Sequence, residues 1–179
     1  DIKSQKEFKN KVKLDIEKQF INQSDQKFFN DCVELLITNT KIELPEHFVK
    51  KLIIANQKEK VNENDIEKEF SQSTKGIKYQ LIESKLIEEN NIDISSDAVK
   101  DYAKDMVKKQ MAMYGQNKVD DEELNSIVER VTSNQDELKR IYSMLLNEKI
   151  LNVFKNKMTK KESKVDYKKF IETAYDKNV

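Results

Sequence analysis

A chain of 179 residues with two glycines and one proline has few places to turn. Soluble proteins average roughly 12% of these two residues together. Tight hairpins draw on Gly, Pro, Asn and Asp for backbone conformations that other residues resist. A sandwich or barrel therefore fits poorly. A loop that cradles phosphate needs clustered glycines, whereas Gly76 and Gly115 stand alone. Walker and dinucleotide-binding loops are excluded. Long helices remain: an all-α chain with short extended linkers and no substantial sheet.

Charge and hydrophobicity refine this. Charged residues make up 37% of the chain, 33 basic against 33 acidic, so the net charge is zero. Leu, Ile, Val and Phe amount to about 27%, above the roughly 20% below which chains tend to disorder. The chain should fold, with a thin core and a large solvated surface, which suits an elongated body. Zero net charge argues against a nucleic-acid binder. The single cysteine, Cys32, cannot form an internal disulfide. No apolar run approaches the ~18 residues of a membrane span. The chain opens at Asp1, which fits a fragment or a processed form.

Periodicity and caps place the helices. Ser4 and Glu7 have capping-box spacing. Phe8, Val12, Ile16, Phe20, Phe28, Cys32 and Leu36 then recur at multiples of four. This predicts a helix over 5–39, with Ser24 and Asp25 as a point where it can break. Pro45 suits a first helical position and opens a helix carrying Phe48, Leu52 and Ile53 to about Glu59. Asn62 or Asn64 caps a third, running to about Asn90, which Gly76 can kink. Ser95 or Ser96 caps a fourth, with Val99, Tyr102, Ala103, Met106, Val107, Gln110 and Tyr114 on its apolar side and Gly115 at its end. Asp120 with Glu123, and Asn134 with Glu137, have capping-box spacing ahead of two more helices. Asp166 caps a last one through Phe170. Alternating stretches near 42, 93 and 164 read as linkers.

Catalytic constellations are missing from this pattern. One His (His47) and one Cys give neither a Cys/His metal cluster nor a His-activated nucleophile. Residues 62–65 faintly resemble a calcium loop, but Glu67 and Ser73 stand where Gly and Glu are required. No cofactor or metal site is expected. The lysines between 155 and 169 read as a solvated basic face. Attention shifts to Met106, Met111 and Met113, followed by Tyr114. Methionine is flexible and polarizable, so exposed methionines adapt to varied apolar partners; buried, they simply fill a core. Ile53, Ile54 and Val61 pose the same alternative. Exposed, these seven residues would be apolar patches that mark an interaction surface.

Four segments together resemble a known family. They are Ile42-Glu43-Leu44-Pro45-Glu46, the stretch from Tyr79 to Ser95, the stretch from Ala103 through Tyr114-Gly115 to Val131, and Lys149 to Phe170. Their order and spacing resemble the C-terminal domain of bacterial trigger factor. Lys50 and Lys51 stand where family members often carry acidic residues. The resemblance implies that residues 1–39 form a long linker helix packing on the body and that 40–179 form a helical domain with two protruding arms around a cradle, one structural unit overall. It implies a cytoplasmic chaperone domain that holds unfolded or nascent polypeptides, for which Ile53, Ile54, Val61, Met106, Met111, Met113 and Tyr114, read from the sequence itself, are the candidate contacts. It also implies no isomerase activity of its own, ribosome contact only through a preceding domain, neither membrane nor direct nucleic-acid contact, and a capacity to form homodimers. Two other readings remain: a helical adaptor for one partner, and a periplasmic chaperone domain of related fold.

Overall fold

The computed structural model describes residues 4–56, 63–116 and 120–175. Seven helices carry the described chain: α1 (Gln5–Asn39), α2 (Glu46–Asn56), α3 (Glu63–Glu89), α4 (Ser96–Met113), α5 (Asp121–Ser133), α6 (Gln135–Lys157) and α7 (Tyr167–Tyr175). No strand occurs among the described residues. The fold is all-α, as the scarcity of breakers requires.

Caps decide where helices begin. Ser4 Oγ accepts the Glu7 N–H at 3.2 Å, Ser95 Oγ accepts that of Ala98 at 3.3 Å, and Asp166 Oδ1 accepts that of Lys169 at 2.8 Å. Asn134 Oδ1 accepts from both Asp136 and Glu137, at 3.0 and 3.2 Å, and so separates α5 from α6. Each satisfies a backbone donor that the first helical turn leaves unpaired. Asp120 departs from expectation. It occupies the N-cap of α5 with extended backbone, but its side chain makes no capping bond. Its carbonyl still accepts the Leu124 N–H at 2.9 Å. Nor does α1 break at Ser24 and Asp25, and α3 runs continuously through Gly76. Helix α7 passes Phe170 and reaches Tyr175. Asn62 and Val61 lie outside the described residues.

The linkers at 40–45 and 92–95 are extended, with Ile42, Leu44, Ile92 and Ile94 half-buried and their neighbours exposed. Alternation of this kind follows from extended backbone, which turns successive side chains to opposite sides.

Contacts divide the chain into two compact units, Glu83–Lys157 and the remainder. In the first, α4, α5 and α6 pack as a three-helix core. Val99, Ala103 and Val107 of α4 meet Leu124 and Val128 of α5 and Ile141 and Leu145 of α6. Ala103 and Ile141 are fully buried. The small alanine lets backbones approach closely. Each large side chain buried here contributes about 1.5–3 kcal/mol. In the second unit, Cys32, Val49, Ile53 and Ile82 are buried. There Lys50 joins α2 to α3. Its ammonium lies 2.8 Å from Glu46, pairs with Glu67, and sits 5.0 Å from the centre of the Phe70 ring. The two carboxylates raise its pKa above the usual lysine value.

Candidate functional site

The end of α4 presents two large apolar side chains to solvent by construction. Gly115 has φ +83°, the left-handed region open to glycine without strain. Its N–H donates to the Ala112 carbonyl at 3.1 Å, and the Gln116 N–H donates to that of Met111 at 3.0 Å. These two bonds form a Schellman closure, with Gly115 just past the cap. The helix therefore ends at Met113, and Tyr114 becomes its C-cap. Met113 is 84% exposed and Tyr114 80%.

Tyr114 thus differs from the expectation that it continues the inward face of α4. That face runs along Val99, Ala103, Val107 and Met111, and Gln110 is exposed too. Met106 and Met111 are half-buried against the three-helix core. The three methionines therefore divide between packing and surface: Met106 and Met111 lie on or beside the Ala103–Val107 line, and Met113 lies off it.

In the other unit, α2 splits its adjacent isoleucines. Ile53 is buried at 7% exposure, whereas Ile54 is 54% exposed. Phe48 and Leu52 are also exposed, and Val49 is buried. The inward face of α2 is the Val49–Ile53 line, not the Phe48–Leu52 line one residue away. Both lines have i, i+4 spacing, so periodicity alone does not choose between them. Phe48 and Leu52 are exposed apolar residues that the sequence pattern did not single out as surface.

The surrounding chemistry is plain. His47 is exposed. Burial, helped by the Asp31 charge, raises the pKa of the Cys32 thiol, which makes it a weak nucleophile. Among the described residues no group of His, Cys, Asp or Glu could hold a metal ion. None of the described helices is long and apolar enough to cross a membrane.

The fold and these surfaces define an all-α domain that turns apolar side chains outward at a fixed helix end. A profile described as probable trigger factor, C-terminal domain, matches residues 24–173, and the chain belongs to that family. It is a chaperone-like domain of the trigger-factor type. No curated protein and no solved structure matches the chain.

Proposed function

We propose that this domain holds unfolded or nascent polypeptides, in the cytoplasm and without catalysis of its own, through separate apolar contacts on its helices. The observation that carries the reading is the α4 end, where Met113 and Tyr114 are exposed by a closed backbone turn. Ile54, Phe48 and Leu52 supply a second contact on α2. Ile53 is buried and belongs to the packing of its unit. Met106 and Met111 act as half-buried support behind the α4 end. Contacts of this kind are individually weak. Several on one chain strengthen one another through effective concentration, yet each releases the client as it folds. Ribosome contact is assigned to a domain other than this one.

The test is suppression of aggregation for two unrelated unfolded proteins. Met113→Glu combined with Ile54→Glu should reduce protection of both by several fold and leave the free energy of unfolding in urea within about 0.5 kcal/mol of the parent, as for other surface changes. Protection of one client alone favours the adaptor reading. Failure to protect either, at stoichiometric excess, defeats the chaperone reading.

A further inference from the structure

We propose that Met113 is an oxidation site whose sulfoxide switches off the apolar contact at the end of α4. The loss of function rests on the reading of that end as a client contact; the oxidation itself does not. The chain has five methionines, Met106, Met111, Met113, Met144 and Met158. Their surroundings differ. Met113 is 84% exposed. Met106 and Met111 pack half-buried against the three-helix core, and Met158 is half-buried as well. Oxidation of a side-chain sulfur follows the access an oxidant has to it. Packing therefore shields Met106, Met111 and Met158 and leaves Met113 open.

Met144 is the second candidate, at 37% exposure. Its sulfur is already engaged, because Arg140 donates an N–H to it at 4.0 Å. That bond occupies a lone pair. The guanidinium also sets a positive charge beside the atom that must give up electrons. Met113 has the reverse surroundings. It is the last residue of α4, with no basic residue in the last turn, and a helix C-terminus carries a partial negative charge. Positive charge that develops on sulfur is thus favoured at Met113 and opposed at Met144. Cys32 does not compete. It is buried, and burial keeps it as the thiol, whereas the thiolate is the reactive form.

The co-reactant is a peroxide. A lone pair of the Met113 sulfur attacks one peroxide oxygen, and the S–O bond forms as the O–O bond breaks. With hydrogen peroxide, the other oxygen leaves as hydroxide and takes the proton of the transferred oxygen. The products are the sulfoxide and water. Sulfur is oxidised by two electrons, and the peroxide is reduced by two. A flexible apolar side chain has become a polar one. Because Met113 lies off the packed face of α4, the new S=O meets water and the fold is not strained. A client that covers it must strip that water away, which is costly without a replacement hydrogen bond. Methionine sulfoxide reductases return the thioether, so the change is reversible.

The whole chain is treated with hydrogen peroxide, and sulfoxide is mapped by peptide mass spectrometry. Met113 should oxidise about fivefold faster than any other methionine. At full conversion of Met113, protection of two unfolded proteins should fall by about twofold or more. Retention on a phenyl column should fall too, and the urea midpoint should stay where it was. Methionine sulfoxide reductases should restore protection and retention. Met113→Leu removes the sulfur, and whatever its starting values, both readouts should then ignore peroxide. Oxidation that reaches another methionine first overturns the proposal. So does full Met113 oxidation with retention unchanged, a Met113→Leu chain as sensitive as the parent, or a fall in the urea midpoint, which would place the modified sulfur in the core. An untreated domain that protects neither protein defeats the holding reading alone, and mapping with column retention still decides the oxidation site. A domain that protects equally well before and after Met113 oxidation keeps the holding reading and overturns the switch.

Discussion

Helix α6 and the first half of α1 carry nearly the same apolar repeat and meet opposite ends. In α6, Ile141, Leu145, Ile150 and Phe154 are all buried, three of them almost completely. In α1, Phe8, Val12, Ile16 and Phe20 are all exposed. Both stripes mark a helix with an apolar side, but periodicity does not say whether anything meets that side. For α6 the answer lies elsewhere in the chain. Ala103 and Val107 of α4 and Leu124 and Val128 of α5 meet Ile141 and Leu145 and close the core. In the first half of α1 the stripe stays exposed although Tyr167 of α7 lies 5.6 Å from Phe20, ring centre to ring centre.

The sharpest way to break this comparison is to shorten one side chain on each stripe. Ile141→Ala removes a fully buried group from between three helices, and the expected loss is about 2–5 kcal/mol. Ile16→Ala, measured on dilute protein, should cost less than about 0.5 kcal/mol. Urea unfolding followed by circular dichroism gives both numbers. An equal cost for the two would mean that the α1 stripe is covered in solution.

That contrast also shows what was legible in the residues alone. Helix starts were, because a cap is a local bond: Ser4, Ser95, Asn134 and Asp166 need only the next three residues to act. Gly115 was legible as an ending because its positive φ is a local matter as well. The inward faces were less so. Val49–Ile53 and Phe48–Leu52 are equivalent lines on α2, and only the rest of the unit selects the first. Helix α4 shows both effects. Its core residues followed from periodicity, but Gln110 and Tyr114, on the same side, lie beyond the reach of α5 and α6 and are exposed. Lys50 shows a role that only the packed helices reveal: it holds Glu46 and Glu67 together and lies over Phe70.

Removing caps probes the same contrast with a smaller effect. Ser95→Ala removes the side-chain oxygen that accepts the Ala98 N–H at the start of a helix in the closed core, and should cost about 1 kcal/mol of global stability. Asp120→Ala should cost only a few tenths, since the Asp120 side chain makes no capping bond and loses only its charge near the helix N-terminus. Ser4→Ala removes a real bond from an uncovered helix. Its expected signature is a loss of helical signal at the start of α1 and an unchanged urea midpoint. A midpoint shift as large as that of Ser95→Ala would show that the start of α1 is tied into a cooperative unit.

The smallest expected effect is alkaline, and it separates the buried part of α1 from the three-helix core. The Cys32 thiol has its pKa raised above 9.0 by burial and by Asp31. The Tyr102 phenol is raised above 10.0, first by burial, then by the charge and hydrogen bond of Glu148. In both, folding favours the protonated, neutral form. The folded state then binds more protons than the unfolded state once pH passes the unfolded pKa. Stability from each group is complete below that value and is lost as pH rises through the folded pKa. Urea midpoints should therefore be level near neutrality, begin to fall near pH 9 through Cys32, and fall further above pH 10 through Tyr102. Cys32→Ala should flatten the earlier step, and Tyr102→Phe the later one. Both groups are only partly shielded, so each step is modest. If Cys32→Ala leaves the curve unchanged below pH 10, the second half of α1 is as open as the first, and the contrast within that helix disappears.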